Sequence, residues 1–237
     1  MSDEEWSEDD SETYQSLSHY AVPERERQIA IAVALVQSSD APGGILDLCS
    51  GEGLMTQALG VACPEAELFA YDGSASMLAT ARRRVGERLV TRQIDIAALD
   101  WRTNMKPLRA VVSSLAVHHL DGAGKRRLFS DLWEMLAPGG VFVLADLVRP
   151  QTEAGWKLAA DMWDEETRRR ALGASEAFRR FEREEWNLFR HGIAPGSIDH
   201  PSTLVEQLQW LEQAGFRRLD MHWMLAGQVL LSAWRER

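Results

Sequence analysis

Apolar positions along the chain alternate between two patterns. Short, mostly apolar runs cover 45–48, 67–71, 110–115 and 141–147, with a weaker run at 89–94. They are too short for helices and are bounded by Gly, Pro, Ser or Asp, so they predict five strands, several buried on both faces. Between them, helical spacing predicts helices over 24–37, 52–59, 74–85 and 124–136. Ser74 or Asp72 is placed to cap the third. In the fourth, Leu128, Leu132, Met135 and Leu136 share one face. Ala41-Pro42-Gly43-Gly44 and Pro138-Gly139-Gly140 break the pattern. Strands separated by helices of this length require crossovers, hence a parallel, doubly wound α/β sheet.

The alternation lapses over 151–200. Fourteen of the 27 residues in 164–190 are charged, too many for a buried strand. Phe178, Phe181, Leu188 and Phe189 still fall in one broad stripe, which predicts amphipathic helices lying over an apolar surface. A helix over 203–214 ends at Gly215, and 216–223 and 226–234 predict two closing strands, paired as a hairpin.

With 237 residues, 45% apolar and 26% charged, the chain can build a sizeable core as one domain. No apolar run approaches the roughly 20 residues of a membrane span. The polar, acidic start is no secretory signal, and Cys49 and Cys63 form neither a disulfide framework nor a zinc motif. A reduced, cytoplasmic protein is expected. Of the net charge of −10, seven units lie in the acid-only residues 1–12, leaving the body at −3. Residues 1–15 are therefore expected to be a disordered tail, dispensable for folding, ahead of one domain over 16–237. A slightly negative body argues against a nucleic-acid partner. Arg82–84 and Arg168–170 are read as solvated helix faces.

The chemistry concentrates at the ends of the predicted strands. Asp47-Leu48-Cys49-Ser50-Gly51-Glu52-Gly53 is an acid and a two-glycine turn at the carboxyl end of the first strand, where open α/β sheets bind ligands. A dinucleotide fingerprint needs a third glycine where Thr56 stands. Asp72 ends the second strand, and its two oxygens suit the paired hydroxyls of a ribose. Asp95 follows the third strand, where it can accept from an exocyclic amine beside the apolar wall of Ile96. Each acid alone is as well explained as a cap or a turn; three in order at successive strand ends point to one ligand. His118 and His119 lie just past the fourth strand, where a base would be useful, and adjacent loop side chains usually diverge. His118 is the candidate base or substrate contact, with His119 bonded to the scaffold. His19, His200 and His222 lack metal-ligand spacing, and no metal is expected. Asp146, ending the fifth strand, lines the ligand or caps the next helix.

The segments Asp47 to Gly53, Tyr71-Asp72-Gly73-Ser74, Asp95-Ile96, Ser113 to Leu120 and Leu136-Ala137-Pro138-Gly139-Gly140 run in an order that resembles the class I S-adenosylmethionine-dependent methyltransferases, over about residues 20–150. Residues 216–233 look like the closing strands of that family, in which Cys49 more often is glycine. The resemblance implies a Rossmann-like, seven-stranded, mostly parallel sheet with a helical cover, 151–200, between strands five and six. It implies S-adenosyl-L-methionine as cofactor: Asp47, Cys49, Ser50, Gly51 and Gly53 around its amino-acid part, Asp72 and Gly73 on the ribose, Asp95 and Ile96 on the adenine, and Ser114 on the methionine moiety. The acceptor is expected to be a small molecule met by His118, Trp163, Trp186 and Arg190, although each aromatic residue taken singly is better explained as packing, on a monomer or homodimer without nucleic-acid or membrane partners. Two rivals share the pocket. The stretch 200–216 is similar to carboxy-S-adenosylmethionine synthase, which alters the sulfonium, and a cofactor-binding protein without turnover is the third reading.

Overall fold

The computed structural model describes residues 7–102, 107–193 and 196–237. The expected strands form one seven-stranded sheet: β1 (Ile45–Leu48), β2 (Leu68–Asp72), β3 (Leu89–Gln93), β4 (Leu108–Ser114), β5 (Leu136–Leu147), β6 (Arg217–Leu225) and β7 (Gln228–Trp234). Their order is β3-β2-β1-β4-β5-β7-β6. β1 to β5 run parallel, whereas β7 joins β5 and β6 antiparallel. Strand order reverses between β1 and β4, and the carboxyl ends of the strands at such a point are where open α/β sheets bind ligands. Pro138 to Gly140 do not separate helix from strand as the sequence suggests. They lie within β5, where pairing with β4 shifts register between Leu108 and Ala110.

Alternation along each strand divides the core. Ile45, Ala70, Val112 and Val143 face α2 (Arg25–Gln37), α3 (Leu54–Ala62) and α4 (Ala75–Val85). Leu46, Leu48, Val111, Phe142 and Leu144 face α5 (Gly122–Met135) and α9 (Leu204–Ala214). Within this frame Asp47 is a carboxylate on a strand of four buried residues.

The expectation of a disordered tail over 1–15 is corrected for the described part. Glu8–Ala21 is a helix, α1. Ser7 and Asp10 form a reciprocal capping box, and Glu8, Asp9 and Asp10 sit in the first turn, where the helix dipole favours acids. The acids that read as a solvated tail are therefore helix-start signals, and Leu17 and Ala21 are buried. Residues 1–6 of that expected tail lie outside the described residues. The 151–200 insertion is helical as expected, with α6 (Glu153–Arg170), α7 (Ser175–Arg183) and α8 (Leu188–His191). With α1 it builds a core of its own from Trp163, Phe181 and Phe189 around Leu147 and Ala226. Gly227, at φ +73° in the β6–β7 turn, lies under the Phe189 ring, which a Cβ there would meet at 2.2 Å.

Candidate active site

The turn after β1 is held by its neighbours. Cys49 and Gly51 are left-handed, at φ 57° and 53°, and Gly53 follows at φ 81°. The Ser50 N–H donates to Tyr71 O (3.0 Å), and the Gly53 N–H to Ser50 O (3.0 Å). Gly53 packs directly on α4: a Cβ there would stand 2.7 Å from the Ala81 Cβ. Thr56, in place of a third glycine, donates its hydroxyl to Asp47 (2.5 Å). Asp47 is buried, and burial raises its pKa to about 7, against the Thr56 hydrogen bond and with the help of nearby Asp72. Asp72 accepts from the Gly51 N–H (2.8 Å) and the Ser74 N–H (2.9 Å), one on each oxygen. Its pKa is raised, by burial first, against those hydrogen bonds.

The other expected cofactor residues stand at the carboxyl ends of β2, β3 and β4. Asp95 is exposed past β3 and turns one oxygen onto the Ala97 N–H (2.8 Å). Ile96 is half-buried beside it, Gly73 is exposed, and Ser114 ends β4 half-buried. The Ser50 hydroxyl is buried with no hydrogen-bond partner among the described residues, a polar atom turned toward this turn without protein to satisfy it. Helix α1 lies alongside. Its Glu8 accepts from Ser74 (2.8 Å), Ser76 (2.5 Å) and the Ala75 N–H (3.1 Å) at the start of α4. Tyr14 reaches the edge of the turn, 4.0 Å from where a Gly51 Cβ would be, and its hydroxyl accepts from Arg25 (2.8 Å). Tyr14 and Glu8 were hidden from sequence reasoning because they fall in the stretch read as a tail.

A second group stands next to it. His118, in a 3-10 turn after β4, is 5% exposed and places Nδ1 2.5 Å from the Asp146 carboxylate at the end of β5. Asp199, on the loop before α9, lies 3.3 Å from His118 Nε2 and 3.2 Å from His119 Nδ1. The two histidines therefore converge on one carboxylate instead of diverging. Burial opposes a charge on His118, but Asp146 and then Asp199 outweigh it, and its pKa rises to about 9. His119 goes the other way, lowered by burial and by the His118 charge. Asp199 is held far below the usual carboxylate range; burial opposes this, but hydrogen bonds from both histidines prevail. Lys125, lowered to about 8 mainly by burial, donates to Ser202 Oγ (3.0 Å) and to His200 O, fastening the loop that carries Asp199. No spacing rule links Asp199 to His118, 81 positions apart in number, so only the fold reveals the pair.

The expected acceptor residues of the cover divide. Trp186 is half-buried with its ring centroid 6.1 Å from that of Tyr14. Trp163 is 3% exposed in the core of the cover and donates Nε1–H to Ala21 O (2.7 Å), the behaviour of a packing residue. Arg190 is drawn away from an acceptor: its guanidinium is engaged by Asp161 (2.7 Å) and Asp164 (2.7 Å) on α6, two carboxylates on the same helix face. A cleft of about 400 Å3 between Gly43, Glu67, Phe69 and Arg109 lies at the opposite ends of the strands and includes none of these residues.

Residues 45–140 match the methyltransferase domain family. The chain is 38% identical over 122 residues to trans-aconitate 2-methyltransferase of Acidovorax ebreus, across 51% of this chain and 44% of that protein. It is 29% identical over 180 residues to carboxy-S-adenosyl-L-methionine synthase of Chromohalobacter salexigens, across 74% and 62%. The chain thus matches less than two thirds of the length of these curated relatives. Among solved structures, magnesium protoporphyrin IX methyltransferase of Synechocystis, with bound SAH, superposes at a TM-score of 0.58 and 17% identity, covering 90% of this chain and 84% of that one. Human N-acetylserotonin methyltransferase, in complex with SAM, gives 0.58 at 13% identity over 89% and 51%. Among the described residues, no helix is long and apolar enough to cross a membrane. The chain shares the fold of these solved methyltransferases, and its residues 45–140 match the methyltransferase domain family.

Proposed function

We propose that the chain binds S-adenosyl-L-methionine at the carboxyl ends of β1 to β4 and uses it to methylate a small-molecule acceptor. The observation that carries this reading is the succession of Asp47, Asp72 and Asp95 at the carboxyl ends of β1, β2 and β3, beside a turn whose Ser50 hydroxyl is buried without a partner among the described residues. When bound, the cofactor supplies a methyl group on a positively charged sulfonium, a good leaving group.

The chain's residues bind, orient and exclude water. The backbone of Cys49 to Gly53 lines the amino-acid part, with Ser50 Oγ as a free polar contact. Each Asp72 oxygen already accepts one N–H and keeps a second lone pair for a ribose hydroxyl. Asp95 and Ile96 flank the adenine, and Ser114 the methionine moiety. Helix α1, with Tyr14 over the turn, closes the side away from the sheet. Alignment of acceptor and methyl in such a site contributes up to about 7–11 kcal/mol. His118 has both ring nitrogens facing carboxylates, Asp146 and Asp199, and its pKa is raised, so it is not a resting base; it lends positive charge to the wall that meets an electron-rich or anionic acceptor group. Trans-aconitate, the acceptor in the name of a relative, is a carboxylate of this kind.

The test is calorimetry with S-adenosylmethionine and its demethylated product, followed by a metabolite screen with labelled methyl donor. Binding of both, a labelled acceptor and loss of binding in Asp72→Ala are expected. A heavier sulfonium without labelled acceptor would move the chain to the synthase chemistry, and binding without any product would leave a cofactor-binding protein.

A further inference from the structure

The cluster beyond β4 brings two imidazoles and one carboxylate to a common point. His118 Nε2, His119 Nδ1 and an Asp199 oxygen all lie within 4.8 Å of one another. We propose that His118, His119 and Asp199 form a site for a divalent cation of the zinc class, with Asp146 as the outer partner of His118.

Four features support it. First, the spacing suits a metal as well as a proton. Bonds of 2.0–2.1 Å to nitrogen or oxygen in a tetrahedron set donor atoms about 3.4 Å apart. Asp199 stands 3.3 Å from one ring nitrogen and 3.2 Å from the other. Charge-assisted hydrogen bonds are usually shorter, about 2.7–2.9 Å. Second, the tautomer is set. Asp146 accepts the Nδ1–H of His118 at 2.5 Å, which leaves Nε2, 3.3 Å from Asp199, as the nitrogen that a metal ion would take in place of its proton. A carboxylate on the far nitrogen is the usual outer contact of a metal-bound histidine. Third, the third donor is held in place. His200 N–H donates to His118 O (2.7 Å), and Lys125 fastens His200 and Ser202, so the Asp199 loop is fixed on both sides of the histidine turn. Fourth, two nitrogens and one oxygen are three protein ligands, which leaves a tetrahedral ion one position for an exogenous oxygen. His119 and Asp199 are partly exposed, at 21% and 28% of the side chain, so an ion has an entry path.

The inference does not depend on methyl transfer, because its test reads metal content. The full-length chain is stripped with chelator, then titrated with zinc by calorimetry and with cobalt by visible absorption. One equivalent is expected, with the ligand-field band of a four-coordinate cobalt site. Asp199→Ala and His119→Ala should each weaken zinc binding by at least roughly tenfold, and Asp146→Asn by roughly 10–100-fold with stoichiometry retained. Circular dichroism confirms that each variant is folded; Asp199→Asn, a loop substitution of the same shape, serves if the alanine variant is not, and should lose affinity likewise. Failure of the stripped wild-type chain to take up either metal overturns the proposal and leaves an ion-pair network. So does uptake unchanged in the Asp199 and His119 variants, or a cobalt–thiolate band, which would assign the metal to Cys49 or Cys63.

Discussion

The His118–Asp146 pair makes a signed prediction about stability and pH. The pKa of His118 is raised from 6.5 to about 9; burial opposes the charge, and Asp146 and then Asp199 more than compensate. Between those two values the folded chain holds a proton that the unfolded chain releases. Stability from this group is therefore fully present below about pH 6.5 and declines as pH rises through about 9. At 1.36 kcal/mol per pKa unit, the decline totals about 3 kcal/mol. The perturbation is His118→Gln, which keeps a donor near Asp146 and has nothing to titrate. Urea unfolding of both proteins, in chelator and without cofactor, from about pH 6.5 to pH 9.5 gives the assay. Lys125, whose pKa falls to about 8, contributes with the opposite sign, and Asp47, raised to about 7, acts lower; both are present in either protein and cancel in the difference, which reads His118 together with its coupled neighbours His119 and Asp199. The wild-type advantage should shrink by about 3 kcal/mol across the range. A difference constant to within about 0.5 kcal/mol, the scatter of ordinary surface substitutions, would refute the argument.

Three further outcomes follow from the packing. Gly53→Ala places a Cβ 2.7 Å from Ala81 Cβ on a left-handed residue, and should lower the melting temperature by the equivalent of about 2–4 kcal/mol while weakening cofactor binding; an unchanged melting curve would contradict the turn. Trp163→Phe removes the donor to Ala21 O, which should cost about 1–3 kcal/mol and speed amide exchange in α1 without changing KM for the acceptor; a KM effect with normal exchange would return Trp163 to the acceptor wall. Deleting residues 1–12 removes the Ser7–Asp10 capping box and the Glu8 contacts to α4, and should reduce melting temperature and cofactor affinity together; a deletion without effect would restore the free-tail reading.

The chain's own pattern determined the strands, the crossovers and the turn Asp47 to Gly53, because burial periodicity and glycine backbone freedom are local properties. It also placed Asp72 and Asp95, since in a parallel sheet every strand's carboxyl end faces the same crevice. The tertiary structure decided the rest. Whether Glu8, Asp9 and Asp10 are a solvated tail or the start of a helix depends on whether Leu17 and Ala21 find a surface to cover, and the 151–200 helices supply it. Whether Arg190 meets an acceptor or Asp161 and Asp164 is a competition among charges that no spacing resolves. The meeting of His118, His119, Asp146 and Asp199 required the turn after β4, the end of β5 and the loop before α9 to be brought together, and such a contact leaves no periodic trace in the sequence.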